Sequence, residues 1–400
     1  MKEQSTRLVR LLIGTLVILL LTACAGNNSA PATSGGESAP APAAADTPTP
    51  AAEAETGAAA DAPASDLCGD PSQLSSELHI FNWADYIDEN ILTQFEEECG
   101  VEVTLDIYAG NEDLIAKMQA GNTGYDLVFP SDYAVQILIA ANLLRPLNMD
   151  NIPNVANIKP DLMGMYFDPE NTYSIPYQWG TTGIAYNTTV FPEAPDSWAA
   201  IFDPALACEH KGFVMMLDDE REAIGAVLKY LGYSYNDTDP EHQAQAQDVL
   251  VAQKECLAGY TSENYIQALA AEEVVIAHSW SGGTALARSE NPNVAYVIPK
   301  EGGAIYMESM TIPADAPNAY TAERLINYIL EPEIGAQLTN YIYYFTPNAA
   351  AEPLLSEDYK ELLISGGMMI DEEILSRLEW IKRDENSIIF SDTWTAVKAR

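Results

Sequence analysis

The sequence predicts an α/β protein with a mainly parallel sheet, carried behind an export leader and an unstructured tether. Short apolar runs of strand character alternate with amphipathic helical stretches from residue 78 onward, which points to βαβ units. An apolar run near the N-terminus ends in small residues directly before a cysteine. Between the two lies a long segment of Ala, Pro, Gly, Ser and Thr with a few acids and no aromatic residue.

The leader has a positive start, Lys2, Arg7 and Arg10, followed by the apolar run Leu11 to Leu21. That length suits a signal-peptide core and falls short of the ~20 residues that span a bilayer. The closing Leu21-Thr22-Ala23-Cys24 resembles the lipobox of bacterial lipoproteins, in which the cysteine becomes the acylated N-terminus. Residues 1–23 are therefore expected to be a lipoprotein signal peptide, with Cys24 the site of lipidation. Residues 24–70 are expected to form a disordered tether, because their composition cannot bury enough apolar surface to offset ordering entropy. A flexible chain of ~40 residues has an r.m.s. span of about 35 Å.

The net charge of the chain is −40. Removing the leader, with its three cations and one acid, leaves −42. An excess this large repels nucleic-acid phosphates and anionic lipid surfaces, which argues against both as partners. An acid-rich solvated surface accounts for most of it, so only acids inside a cleft bear on function. Beyond Cys24 four cysteines remain: Cys68, Cys99, Cys208 and Cys256. Outside the cytoplasm they suit two disulfides in any of three pairings. Cys68–Cys99 and Cys208–Cys256 are favoured, since each pair flanks neighbouring elements. No CxxC spacing supports a zinc or redox site.

In order along the chain, Leu78–Phe81 reads as a strand and Ile87–Glu98 as an amphipathic helix. Val101–Tyr108 alternates like a strand, Glu112–Ala120 is helical, and Asp126–Phe129 is a short buried strand followed by a helix up to Ala140. A second series runs through Gly183–Tyr186, Gly212–Leu217, Val274–Ala277 and Val294–Ile298. No internal repeat is evident, which favours two lobes of unlike sequence over a solenoid. In open α/β sheets ligands sit beyond the carboxyl ends of strands, and polar and aromatic residues gather there. Asn82-Trp83-Ala84-Asp85-Tyr86 and Ser131-Asp132-Tyr133 follow strands in the first series. In the second, Asp218 to Glu222, His278 to Gly283 and Glu301 to Ser309 do the same.

These loops supply aromatics (Trp83, Tyr86, Tyr133, Trp280, Tyr306) and acids (Asp85, Asp219, Glu222, Glu308), the chemistry of an organic ammonium site. Aromatic faces attract a cation by ~0.5–2 kcal/mol each, and a charge-assisted hydrogen bond to a carboxylate contributes about 1.5–3 kcal/mol. Each residue also has a plainer reading. Asp219 and Glu222 have capping-box spacing, with Asp218 another candidate N-cap. The aromatics suit a core, and His278 reads as packed. Gly282-Gly283 and Gly302-Gly303 read as turns, since neither has phosphate-loop spacing.

Beyond its chemistry, the chain resembles the spermidine/putrescine-binding proteins of bacterial polyamine ABC transporters over about residues 77–400. The matching segments are Phe81-Asn82-Trp83, Tyr125-Asp126-Leu127-Val128 with Pro130-Ser131, and Tyr173 to Tyr177 with Trp179-Gly180. Asp218-Asp219 with Arg221-Glu222, Pro299 to Gly303 and Thr346-Pro347-Asn348 follow in the same order. The resemblance implies a two-lobed periplasmic-binding-protein-like fold of the class II type, each lobe a mixed, mainly parallel sheet with flanking helices. It places lobe 1 at 71–179 plus 308–352 and lobe 2 at 180–307 plus 353–400, with crossings near Trp179, Met307 and Pro353 and a ligand cleft between the lobes. By position it assigns ligand binding to Trp83, Asp85, Tyr86, Ser131 and Tyr133 from lobe 1. Asp219, Glu222 and Trp280 would come from lobe 2, with Tyr306, Glu308 and Tyr344 near the crossings. It implies a monomer without cofactor, metal or catalytic residues. Such a protein is anchored outside the cytoplasmic membrane, or in the periplasm, by the lipid on Cys24, and partners an ABC permease.

Departures from the family pattern leave the preferred polyamine open. Tyr306 stands where spermidine-binding members often have Trp, and Ile381 where some have Gln. Asp85 is shorter than the usual Glu, and Glu308 longer than the usual Asp. Rival readings are the same fold with another organic cation or with ferric ion, for which Tyr343-Tyr344 is the only hint. An exported enzyme is a further rival, but no Gly-x-Ser-x-Gly elbow, HExxH pair or nucleophile–base set appears.

Overall fold

The structure, a computed structural model, describes residues 67–383 and 386–400. The leader, Cys24 and the tether up to residue 66 lie outside the described residues. Among the described residues no helix is long and apolar enough to cross a membrane.

Three parallel strands begin the fold: β1 (Glu77–Trp83), β2 (Glu102–Tyr108) and β3 (Leu127–Val128), with β1 in the middle. Crossover helices α1 (Glu89–Cys99) and α2 (Asn111–Ala120) join them, and α3 (Asp132–Ala140) follows β3. Asp88 caps α1 by accepting from the Asn90 amide, and Gly100, at φ 71°, ends it in the left-handed conformation that glycine adopts without steric cost. Alternate residues of β1 feed two cores. Leu78 and Ile80 pack with Phe95 and Ile326 on one face, and Phe81 with Leu114 and Leu138 on the other.

The remaining strands are β4 (Ser174–Asn187), β5 (Val214–Met216), β6 (Leu257–Tyr260), β7 (Ile276–Trp280), β8 (Val294–Val297), β9 (Gly303–Thr311) and β10 (Leu378–Trp380). The sheet order is β2-β1-β3-β9-β4-β7-β5-β6, with β10 beside β9 and β8 beside β4. β4 and β9 run antiparallel from Ser174↔Thr311 to Thr181↔Ile305 and form a spine shared by two halves. Beyond Thr181, β4 pairs instead with β7 and β8. The mainly parallel expectation therefore holds for the wings, where β1–β3 and β5–β7 run parallel, and not for the antiparallel centre. The second wing buries Val214, Met216 and Ile276 against Trp198, Ile224 and Leu250.

Two stretches expected as loops are strand. β7 continues through His278, Ser279 and Trp280, and β9 contains Tyr306, Met307, Glu308 and Ser309, each of its nine residues buried. A strand buried on both faces carries no polar/apolar alternation to reveal it, and polar residues within it mimic a loop. Gly282 and Gly283 open helix α5 (Ser281–Glu290) and Gly303 opens β9; only Gly302, at φ 94°, is a turn glycine.

Cys68 is bonded to Cys99 and Cys208 to Cys256. The end of the segment expected as tether is fixed to the body. Arg324 donates to the Leu67 carbonyl at 3.0 Å, and the Asp70 amide donates to the Tyr320 hydroxyl at 2.7 Å.

Candidate ligand-binding cleft

The strand ends and the spine converge on one cleft of about 810 Å³, counted out to its mouth. All eleven residues assigned to ligand binding from the sequence line it. The end of β1 delivers Trp83, Asp85 and Tyr86; Asp85, at φ 53°, makes the left-handed turn that an aspartate tolerates. The step from β3 into α3 delivers Ser131 and Tyr133. Helix α4 (Glu220–Tyr230) presents Asp219 and Glu222 at its start, and the end of β7 presents Trp280. Tyr306 and Glu308, two apart on β9, share a face. Tyr344 follows the left-handed Tyr343.

Missing side chains make room for the aromatic wall. A Cβ on Gly180 would lie 2.5 Å from the Tyr306 hydroxyl, and one on Gly282 would lie 2.2 Å from the Tyr344 ring. One on Gly283 would lie 1.8 Å from the Tyr265 hydroxyl. These glycines are needed for close approach. Trp83 packs on Tyr108 with centroids 4.7 Å apart and faces the edge of Trp280 at 6.3 Å; Tyr86 meets Tyr344 edge-on at 4.7 Å.

Two carboxylates are held deep in the wall. Glu308 accepts from the Tyr86 hydroxyl at 2.6 Å and the Ser131 hydroxyl at 3.0 Å, while Asn111 fixes Ser131 through two bonds of 3.0 and 3.1 Å. Glu222 accepts from Thr182 at 2.9 Å, Tyr235 at 2.6 Å and the Trp280 indole at 3.0 Å. Asp219 caps α4, accepting from the Arg221 and Glu222 amides at 2.9 and 3.0 Å. Cap and cleft wall are thus compatible roles, since Oδ1 alone serves the helix. Asp218 instead pairs with Lys398 at 2.8 Å.

Burial sets the electrostatics. It pushes the Glu308 carboxyl up to about 7 against the pull of its Tyr86 and Ser131 donors, with the charge of Glu222 adding a little. Burial and then the charge of Asp219 push Glu222 up to about 7, against its three donors. Burial with Asp219 and Glu220 does the same to Glu112, which accepts from Tyr133 at 3.1 Å. Among the described residues, the lining holds six carboxylates (Asp85, Asp132, Asp219, Glu222, Glu263 and Glu308) and no Lys, Arg or His. A cation entering there gives these carboxylates the ionic partner that the wall does not supply, between aromatic faces that attract it.

Sequence reasoning missed Tyr108, Asn111, Asp132, Glu263 and Tyr265, all in the lining. Tyr108 ends β2 and Asp132 sits between two assigned residues, so the strand-end rule reaches both. Tyr265, on a short helix at Tyr265–Ala270, carries no such signal. Ile381 also lines the cleft. Tyr343 lies apart from Tyr344, stacked near Tyr359 at 6.3 Å, and does not line the cleft, which splits the pair behind the ferric-ion reading. Among the described residues no group of His, Cys, Asp and Glu could hold a metal ion. His278 is buried beside Trp198, and desolvation pushes it down to about 3, so it is neutral.

The sequence model of the bacterial extracellular solute-binding protein family matches residues 90–363. The putrescine/cadaverine-binding protein of Pseudomonas aeruginosa is 36% identical over 338 residues, covering 82% of this chain and 94% of that protein. The spermidine/putrescine-binding periplasmic protein of Escherichia coli K12 is 35% identical over 324 residues, covering 80% and 91%. Among solved structures, the spermidine/putrescine ABC transporter substrate-binding protein PotD of Streptococcus pneumoniae is 34% identical with a TM-score of 0.67, covering 81% of this chain and 99% of that one. The TpPotD lipoprotein of Treponema pallidum is 29% identical with a TM-score of 0.70, covering 81% and 100%. The first three of these relatives bear the names of binding proteins, not enzymes, and the solved structures share the periplasmic-binding-protein-like fold. The chain belongs to the bacterial extracellular solute-binding protein family.

Proposed function

We propose that the chain captures linear polyamines of the spermidine/putrescine class in this cleft and delivers them to an ABC importer, tethered by a lipid on Cys24. One observation carries the reading: among the described residues, six carboxylates and no basic side chain line an aromatic cleft. Glu308 holds one ammonium, with Tyr86 and Ser131 setting its orientation, and Glu222 and Asp219 hold a distant one. Trp83, Trp280, Tyr133, Tyr306 and Tyr344 box the methylenes, and Asp85 stands at the exposed mouth. Two or three charge-assisted bonds at about 1.5–3 kcal/mol each, with cation–π contacts of ~0.5–2 kcal/mol, reach the ~8 kcal/mol that micromolar binding requires.

Lobe 1 (71–179 plus 308–352) and lobe 2 (180–307 plus 353–400) close on the ligand about the β4–β9 spine and the crossing near Pro353. The protein acts as a monomer on the outer face of the cytoplasmic membrane or in the periplasm. The Leu21-to-Cys24 motif supports the anchor, and the Treponema pallidum relative is itself a lipoprotein. A thermal-shift panel of putrescine, spermidine, spermine, glutamate and ferric citrate tests the reading. Ligand at 100 times its dissociation constant stabilises by about 2.7 kcal/mol, so the polyamines should raise the melting temperature while glutamate leaves it unchanged. A shift with ferric citrate alone would overturn the proposal.

A further inference from the structure

We propose that Asp132 is a third anchor of the cleft, accepting from an ammonium that a linear triamine brings to it and a diamine does not; this rests on the polyamine reading above. Asp132 is fully buried and lines the cleft. Its Oδ1 accepts from the Tyr133 amide at 2.7 Å. Its Oδ2 is the only buried carboxylate oxygen without a hydrogen-bond partner among the described residues. Leaving such an atom unpaired is costly, so native structures seldom do it without a reason.

The protein groups near Oδ2 do not serve it. The Tyr166 hydroxyl lies within reach of the Asp132 carboxyl, but its single hydrogen goes to the Ile381 carbonyl. Arg221, whose charge is felt at Asp132, commits Nη2 to Asn236 and the Lys382 carbonyl, and its Nε and Nη1 reach no partner. Arg221 does not line the cleft, whereas Asp132 does. A ligand in the cleft that Asp132 lines would supply the donor that Oδ2 lacks.

Asp132 feels the charges of Glu308 and Glu222, so the three carboxyls share one neighbourhood. The two ammoniums of a diamine are met by Glu308 and Glu222. A triamine has one more, and of the remaining lining carboxylates, Asp85, Asp132 and Glu263, only Asp132 is buried. Burial, then the neighbouring carboxylates, hold the Asp132 carboxyl well above its ordinary range. An ammonium beside it reverses that shift, and a proton leaves as the triamine binds.

The test uses the full chain and D132N, which keeps the shape and the acceptor for the Tyr133 amide, with D132S as a second variant should D132N fold poorly. Putrescine and spermidine are titrated calorimetrically at pH 7.5 in two buffers of different ionisation enthalpy. Spermidine affinity should fall at least tenfold, putrescine affinity less than threefold, and the protons released with spermidine should decrease. Equal change for the two amines, whether none or a common loss from a structural role towards Arg221, would overturn the assignment. Parent protein that binds neither amine would overturn the polyamine reading itself.

Discussion

Replacing Glu308 by Gln keeps the side-chain shape and an acceptor for Tyr86 or Ser131 but removes the charge. A charge-assisted hydrogen bond contributes about 1.5–3 kcal/mol, so polyamine affinity at pH 8 should fall about ten- to 150-fold. The pH dependence is more diagnostic. Burial brings Glu308 and Glu222 up to about 7 in the protein alone, and a bound ammonium favours their ionised forms. Affinity should therefore be flat above pH 8 and fall as pH drops through 7. Each of the two carboxyls contributes up to about tenfold per pH unit, by the same linkage that governs stability. In E308Q the slope below pH 7 should decrease by about one order per unit, leaving the contribution of Glu222. Isothermal titration with putrescine from pH 5.5 to 8.5 measures both quantities. An E308Q profile with the parent affinity, or with the parent slope, would refute the assignment of charge recognition to Glu308.

Four further outcomes follow from the same structure. Without ligand, burial holds Glu308 and Glu222 up at about 7 in the folded chain, against an ordinary value of 4.5, so the folded chain binds more protons between those limits and loses stability as pH rises through the window; the melting temperature should be higher at pH 5.5 than at pH 8. Gly282→Ala places a Cβ 2.2 Å from the Tyr344 ring, so it should weaken polyamine binding more than tenfold in the same calorimetric assay while secondary structure by circular dichroism is retained. Removing Cys208–Cys256, which spans 48 residues, should cost about 4 kcal/mol in denaturant unfolding by the chain-entropy estimate and leave ligand affinity unchanged. Cys24→Ser should move the protein from the membrane to the soluble fraction after cell fractionation.

Most of the site was legible because βα units place residues by a local rule. Once Leu78–Phe81 and Asp126–Phe129 are read as strands, Trp83, Tyr86, Ser131 and Tyr133 fall at their ends. The spine was not legible in the same way. Pro176, Gly180 and Gly183 interrupt β4, and such residues ordinarily argue against a central strand. The structure gives each a reason. Pro176 sits at a register shift, Gly180 lies under Tyr306, and Gly183 lies against the Val297 carbonyl. The donors around Glu222 were equally hidden. Thr182, Tyr235 and Trp280 come from three segments joined by tertiary packing, which leaves no periodic mark on the sequence.

The central claim is that the carboxylates of the cleft bind a linear polyamine as a cation. Calorimetric titration of the purified chain with spermidine at pH 7.0, in two buffers of different ionisation enthalpy, tests it most directly. Micromolar or tighter binding with net release of protons to the buffer is the expected result. Binding without proton release, or no binding at millimolar spermidine, would contradict it.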